Sequence, residues 1–219
     1  MIAATAVRTF LERDLANLGV RIPATTMRRF WTMVAHYHGQ TWNGAEIARS
    51  LAVSEPTVRR YLDALTDALV IRQLQPWHAN TSKRQIRSPK VHVRDSGLLH
   101  RLLGIDDHHA LLSHPKLGAS WEGFVIDQLL ARDDIRDAWF WGTHGGAEID
   151  LVLRHDSRWL GIEIKRTDTP RMTPSIRNAL TDLGLDRVIV ANAGTNRFPM
   201  APNVEAIGVA ELLTDGIPA

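Results

Sequence analysis

The sequence predicts an α/β (α+β) protein in two parts, a mainly helical first half and a second half in which helices and strands are mixed. Apolar residues recur at helical spacing in the first half, whereas alternating and continuous apolar runs typical of strands dominate the second. Residues 1–114 hold 15 basic and 9 acidic residues, and residues 115–219 hold 11 and 15. The change in charge and pattern predicts two domains, 1–114 and 115–219.

The composition excludes several classes of protein. There is no cysteine, which removes disulfides, cysteine zinc sites and thiol nucleophiles. No uncharged apolar run approaches the roughly 20 residues of a membrane span, and the first residues lack the basic and apolar regions of a signal peptide. We therefore expect a soluble, cytoplasmic protein that does not engage a membrane.

The first half predicts a series of amphipathic helices. The first is expected over residues 7–18, and the next begins near Thr25 or Thr26 and ends at Gly39. A short helix over 44–51, a three-residue turn and a helix capped by Ser54 follow. The inward face of that last helix consists of the apolar residues Val58, Tyr61, Leu62, Leu65 and Leu69. This spacing predicts a helix-turn-helix that presents Arg59 and Arg60 outward.

Two short strands follow the helix-turn-helix, over residues 70–74 and 90–94. The polar connection between them carries three basic residues and no acid, namely Lys83, Arg84 and Arg87. A helix-turn-helix followed by such a hairpin predicts a winged helix. The connection could neutralise three phosphates, and Arg59 and Arg60 are candidates for entering a DNA groove. The alternative is a helical subdomain that contacts another protein.

The second half predicts alternating helices and strands. Helices are expected over 119–131, 174–183 and 209–213, and strands over 138–141, 147–154, 159–165, 187–192 and 204–208. This order predicts a mixed α/β domain of about 100 residues.

Three carboxylates in this half occupy positions that packing alone does not explain. Glu122 shares a helix face with Val125, Ile126 and Leu129, and a carboxylate facing a core is costly unless it is paired or binds a metal. The other two, Asp150 and Glu163, lie on successive strands.

Alternation along those strands predicts that Asp150 and Glu163 meet. If residues 155–158 form a four-residue loop, Arg154 faces Trp159 and Asp150 falls opposite Glu163, with about 5 Å between their Cβ atoms. Like charges at that distance repel, whereas Mg²⁺ or Mn²⁺ would bind both carboxylates, with Glu122 as a further ligand. Lys165 shares the face of Glu163 and could position a metal-bound water. The alternative is a half-exposed hairpin with a solvated charged face.

These spacings resemble the PD-(D/E)XK nuclease superfamily, whose core has a helix with Glu, a strand with Asp and a strand with (D/E)-x-K. Here the corresponding residues are Glu122, Asp150 and Glu163-Ile164-Lys165. The resemblance implies a restriction-endonuclease-like core, with Glu122, Asp150 and Glu163 as metal ligands and Lys165 as the catalytic lysine.

The chain also resembles a domain of unknown function that forms the C-terminal half of many bacterial and archaeal AAA-type ATPases. The resemblance rests on five stretches, RTFLERDLANL, SPKVHVRDSGLLHRLLGI, HPKLGASWEGFVIDQLL, FWGTHGGAEIDLVL and GIEIKRTDTPRMTPSIRNAL. It implies an AAA-type ATPase domain in a longer parent. No G-x-x-x-x-G-K-[ST] motif occurs, so we expect no ATP site here and a C-terminal fragment or a truncated gene.

The function expected from these features is metal-dependent hydrolysis of DNA phosphodiesters, with DNA as partner. Glu122, Asp150, Glu163 and Lys165 would form the site, and Arg59, Arg60, Lys83, Arg84 and Arg87 would contact DNA. One alternative is a catalytically inactive DNA-binding or protein-docking module of an ATPase. Another is a winged-helix regulator whose second half dimerises, which leaves a homo-oligomer open.

Overall fold

The computed structural model describes residues 22–78, 84–132, 135 and 137–218. These residues form eight helices and nine strands, which confirms the mixed α/β class. The chain divides into two compact units. The first unit comprises the described residues within Met1–Gln73 and Pro89–Gly123, and the second those within Leu74–Ser88 and Phe124–Ala219. The helix expected over residues 7–18 lies outside the described residues.

The first unit is mainly helical. Its helices and strands are α1 (Ala24–His36), β1 (Gln40–Thr41), α2 (Gly44–Leu51), α3 (Glu55–Asp67), the start of β2 (Ile71–Pro76), β3 (Lys90–Val93), α4 (Ser96–Leu102), α5 (His108–Leu112) and the start of α6 (Leu117–Arg132). The short strands β1 and β3 pair in antiparallel fashion.

Side-chain caps define the α2-turn-α3 segment. Asn43 accepts a hydrogen bond from the Glu46 N–H at the start of α2, and Ser54 accepts one from the Thr57 N–H at the start of α3. Ala52 ends α2 in the left-handed conformation, with φ of 55°. The predicted bounds of α2 and the cap of α3 are therefore confirmed.

Leu69 is an exception to the predicted inward face of α3. The helix ends at Asp67, and Leu69 follows it with φ of 58° and is 69% exposed. The expectation that Leu69 is buried is wrong, because the left-handed backbone after the helix turns this side chain out of the helical register.

The core of the first unit is rich in aromatic side chains. Phe30 on α1 meets Tyr61 on α3 edge to face, with 5.6 Å between ring centroids, and meets Trp42 at 6.2 Å. The largest fully buried members of this core are Met27, Phe30, Trp31, Ile47, Leu62, Leu65, Ile71 and Leu99. Edge-to-face contacts of this kind stabilise packing beyond the area they bury.

Two buried histidines, His38 and His92, also lie in this unit, with 5.2 Å between ring centroids. His38 Nδ1 accepts a hydrogen bond from the Val93 N–H, so Nε2 carries the proton and donates to the Ala119 carbonyl. Neither ring nitrogen of His92 has a hydrogen-bond partner within the described residues. A Cβ on Gly123 would lie 2.5 Å from His38 Nε2, so only glycine fits there.

Both histidines are neutral in the folded unit. Burial lowers the pKa of His38 to about 4 against the smaller opposing effect of the Ala119 carbonyl, and the charges of Lys116 and His100 lower it further. Burial also lowers the pKa of His92 well below its ordinary value, helped by the charges of His38, Lys90 and Arg72.

We expect acid to destabilise the first unit. The unfolded chain takes up protons on these imidazoles below a pH of about 6.5, while the folded unit resists them, so the stability present at neutral pH is lost as pH falls. For His38 the linkage amounts to about 2 kcal/mol between pH 7 and pH 5, and His92 acts in the same direction. Urea unfolding of wild type and His92→Phe at both pH values measures it.

The substitution should reduce the pH dependence by the contribution of His92 and leave that of His38. His109→Gln, at an exposed position, is the matched control and should leave it unchanged. An identical pH dependence in His92→Phe and wild type would show that His92 is not the cause.

The second unit contains a mixed sheet. Its elements are the end of β2, the rest of α6, β4 (Ala138–Gly142), β5 (Glu148–His155), β6 (Arg158–Lys165), α7 (Pro174–Leu183), β7 (Arg187–Asn192), β8 (Phe198–Ala201), β9 (Val204–Gly208) and α8 (Val209–Asp215). The strand order is β2-β4-β5-β6-β7-β9-β8. β5 and β6 are antiparallel, whereas β6, β7 and β9 run parallel to one another.

A tight turn connects β5 and β6. Arg154 faces Trp159, as predicted, but His155 also pairs with Arg158, so the loop has two residues rather than four. Asp156 and Ser157 form this loop with φ of 46° and 66°. Two left-handed residues are typical of the turn that matches the twist of a hairpin.

A register shift between Trp139 and Trp141 marks a bulge in the pairing of β4 with β5. Trp139 pairs with Val152, whereas Trp141 pairs with Ile149, so β5 has one extra residue. Ile149 consequently packs in the same apolar cluster as Val152. Regular alternation along a strand would place these two residues, three positions apart, on opposite faces.

Part of the segment predicted as a wing is bonded along the end of β4. The Ile86 N–H donates to the Gly142 carbonyl, and the His144 N–H donates to the Arg84 carbonyl. Gln85 pairs with Thr143 in an isolated antiparallel bridge. All of these residues belong to the second unit.

None of the helices in the described part of the chain combines the length and the apolar composition that a bilayer-spanning helix needs.

Candidate functional site

The β5–β6 register brings Asp150, Glu163 and Lys165 together. The regular pairing of the two strands reaches Leu151 and Ile162, and beyond it the Asp150 carboxylate accepts the Ile164 N–H, which places Asp150 close to Glu163. Lys165 lies two residues beyond Glu163, and its Nζ is 2.5 Å from Glu163 Oε1. The structure thus groups three of the four residues predicted to form the site.

Both carboxylates are buried, at 8% exposure for Asp150 and 5% for Glu163. Asp150 Oδ2 accepts a hydrogen bond from the Ile164 N–H at 2.8 Å. Glu163 Oε2 has no hydrogen-bond partner among the residues that the structure describes. The alternative of a solvated charged face is wrong, because β4 and β7 flank this hairpin and α7 packs against it.

Burial and like charge shift the titration of Glu163. The pKa of Glu163 is raised to about 7, mainly by burial and then by the charge of Asp150, while Lys165 opposes both effects. Glu148 makes a smaller contribution in the same direction as Asp150. The cluster therefore binds additional positive charge favourably near neutral pH, either as a proton or as a cation.

Asn192 is a member of this face that the sequence analysis did not identify. Parallel pairing of β6 with β7 places Asn192 beside Lys165. Asn192 is fully buried, and its Oδ1 accepts a hydrogen bond from the Gly194 N–H at 2.8 Å. No local signal in the sequence distinguishes it, since it ends an apolar strand like many strand-terminal asparagines.

The donor set suits a hard divalent cation. Asp150 and Glu163 supply carboxylate oxygens, which Mg²⁺ and Mn²⁺ prefer, and Glu163 Oε2 is buried and unsatisfied within the described residues. No group of three or more His, Cys, Asp or Glu residues suited to holding a metal occurs in the described ranges. The protein carboxylates that fit such an ion here are therefore Asp150 and Glu163.

Glu122, the fourth predicted site residue, lies in the first unit. Its Oε1 accepts a hydrogen bond from Lys90 Nζ at 3.1 Å, and the Lys90 side chain is almost completely buried. This ion pair supplies the partner that a carboxylate on an apolar helix face requires.

The predicted DNA-contacting residues are distributed over both units. Arg59 and Arg60 are exposed on α3, where Arg59 forms an ion pair with Asp63. Arg84 and Arg87 are exposed in the second unit. Lys83 lies outside the described residues.

The fold and this cluster define a mixed α/β protein with a buried acidic pair and a lysine on neighbouring strands. Residues 2–109 match a domain of unknown function, DUF8612, and residues 117–212 match another, DUF4143. No solved structure matches the chain.

Two curated relatives share most of this chain. They are the uncharacterized proteins Mb2031c of Mycobacterium bovis and Rv2008c of Mycobacterium tuberculosis. Each is 59% identical over 210 residues, which cover 96% of this chain and 48% of the relative. The chain thus spans about half the length of the curated relatives it matches.

We expect Asp150→Asn to lower the pKa of Glu163, because the substitution removes the nearest like charge while keeping the side-chain shape. Titration of the Glu163 carboxyl carbon by ¹³C NMR measures the change. Asp156→Asn, in the exposed turn of the same hairpin, is the control and should leave the pKa near 7. An unchanged pKa in Asp150→Asn would contradict the proximity of the two carboxylates.

Proposed function

We propose that this chain is a Mg²⁺-dependent DNA phosphodiesterase domain, in which a winged-helix module binds DNA and a PD-(D/E)XK-type core cleaves it. The observation that carries the proposal is the buried cluster of Asp150, Glu163 and Lys165 on neighbouring strands. Phosphodiester hydrolysis needs a bound cation, an oriented water and stabilisation of the charge that develops on phosphorus oxygens.

Each residue of the cluster has a role suited to that chemistry. Asp150 and Glu163 would hold Mg²⁺ or Mn²⁺, which supplies Lewis-acid polarisation of a phosphoryl oxygen. The Ile164 N–H fixes one oxygen of Asp150, so the carboxylate is oriented before a ligand arrives. Lys165 is 39% exposed in its side chain and would orient the attacking water and offset the developing negative charge.

The outer face of α3 supports DNA contact. Arg59 and Arg60 project from the first two turns of a helix that packs against α2 across a short turn. The Arg59–Asp63 ion pair is about half exposed, and exposed pairs of this kind are weak. Arg59 can therefore exchange Asp63 for a phosphate, to which its planar group binds in a bidentate manner.

A catalytically inactive accessory module of an AAA-type ATPase is the second candidate. It is favoured by the curated relatives, which are about twice as long as the segment they share with this chain. In this case ATP binding would belong to a longer parent, and the two units would serve for docking or DNA binding alone.

Metal titration and DNA cleavage separate these candidates. We expect wild type to bind Mn²⁺ or Mg²⁺ saturably by calorimetry and to cleave labelled DNA. Asp150→Asn should lose at least about 100-fold in cleavage rate, because it removes a charged ligand. Asp156→Asn, in the exposed turn of the same hairpin, should retain both properties.

Linear, branched and single-stranded DNA should each be tested, since the cluster does not select among them. Absence of saturable binding at millimolar metal, together with absence of cleavage, would contradict the nuclease proposal and favour the accessory module.

The double substitution Arg59→Ala/Arg60→Ala should weaken DNA binding. Loss of two phosphate contacts would reduce the dependence of log K on log salt by about 0.9 per contact. Fluorescence anisotropy over a salt series measures this slope. Arg101→Ala, which removes an exposed arginine of α4 in the same unit, is the control, and an equal slope in both variants would exclude α3 as the DNA-contacting helix.

A further inference from the structure

The buried amide of Asn192 presents an unsatisfied donor to the same sheet face as Lys165. Its Nδ2 is inaccessible to solvent and has no hydrogen-bond partner in the part of the chain that the structure describes. Leaving a buried donor unpaired costs about 1–3 kcal/mol. A fully buried donor without a partner in the described structure therefore needs an explanation.

The orientation of this amide is fixed by the loop that follows β7. Oδ1 accepts the Gly194 N–H at 2.8 Å, and the Ala193 N–H donates to the Thr167 carbonyl at 3.0 Å. A Cβ on Gly194 would lie 3.0 Å from both Asn192 Oδ1 and the Asp168 Cβ. Because Oδ1 is held, Nδ2 has a fixed direction, and only an acceptor can complete its hydrogen bonding.

The residues that neighbour Asn192 indicate which kind of acceptor its Nδ2 would bind. Lys165 pairs with Asn192 in the parallel register, so the two side chains extend from the same face of the sheet. Glu163 lies two residues before Lys165 on β6, and its Oε1 is already paired with Lys165 Nζ. Two adjacent donors, one of them cationic, match an anionic oxygen.

We propose that Asn192 is a substrate-positioning residue, whose side-chain amide donates a hydrogen bond to a phosphate oxygen of the bound nucleic acid beside Lys165. The inference rests on the proposed phosphodiesterase function and adds a phosphate-binding donor to that site. Asn192 is fully buried, so a phosphate oxygen reaches Nδ2 only after the side chains around it move.

The first test observes the wild-type amide directly. In the metal-free full chain labelled with ¹⁵N, the Asn192 side-chain NH₂ resonances should shift saturably as inorganic phosphate is added. The side-chain amide of Asn178, on α7 of the same unit, is the internal control and should not shift with the same midpoint. A stationary Asn192 resonance at saturating DNA and millimolar phosphate would overturn the proposal.

The second test uses Asn192→Asp, which keeps an oxygen for the Gly194 N–H but removes the amide donor. The added buried carboxyl carries its own desolvation cost, so its effect is compared with that of a variant without added charge. We expect kcat/KM for DNA cleavage to fall about tenfold to a hundredfold, as for loss of a hydrogen bond to a charged group.

Asn192→Ala supplies a second variant without added charge, and thermal unfolding of both reports whether they fold. Wild-type kinetics in both folded variants would overturn the inference while leaving the proposed function intact. Absence of cleavage in wild type, with the Asn192 amide still responding to phosphate, would instead remove the phosphodiesterase function and retain the anion site. If neither variant folds, the wild-type NMR titration decides.

Discussion

The proximity of the Asp150 and Glu163 carboxylates on β5 and β6 is the constraint on which the second unit's chemistry depends. Both strands are flanked by neighbours in the sheet, and α7 packs against the hairpin, so both carboxylates are largely shielded from the water that would screen their charge. The Ile164 N–H and Lys165 each satisfy one oxygen. Glu163 Oε2 has no such partner among the described residues. The pKa of Glu163 is raised because the group is buried and lies near the charge of Asp150.

Local backbone geometry determines this proximity. The two left-handed residues Asp156 and Ser157 close the tightest hairpin turn, and the turn sets the register of every pair along β5 and β6. A slip of one residue would send Asp150 to the opposite face from Glu163. The bulge opposite β4 falls between Ile149 and Val152, next to Asp150, where bulges commonly redirect a functional side chain.

How much the sequence could predict depends on how far apart along the chain the interacting residues lie. The bounds of α2, the cap of α3 and the proximity of Asp150 to Glu163 depend on neighbours close along the chain, and all three were predictable. The position of Asn192 beside Lys165 depends on the parallel pairing of β6 with β7, which α7 separates along the chain. The Lys90–Glu122 ion pair joins residues 32 positions apart, and burial of the acidic pair depends on flanking strands. None of these leaves a periodic or local signal.

The energetics of the acidic pair bear on the choice between an active and an inactive domain. Replacing a buried charged cluster with apolar residues of similar volume is often neutral or stabilising, so such a cluster is weak support for a purely structural role. Two neighbouring carboxylates buried beneath a helix would not help a docking module to bind its partner. A phosphodiesterase gains a cation site whose binding free energy removes the repulsion between Asp150 and Glu163. The unsatisfied Glu163 oxygen and Asn192 donor raise the free energy of the folded chain. A bound cation and phosphate would satisfy both atoms, and this favours the catalytic interpretation.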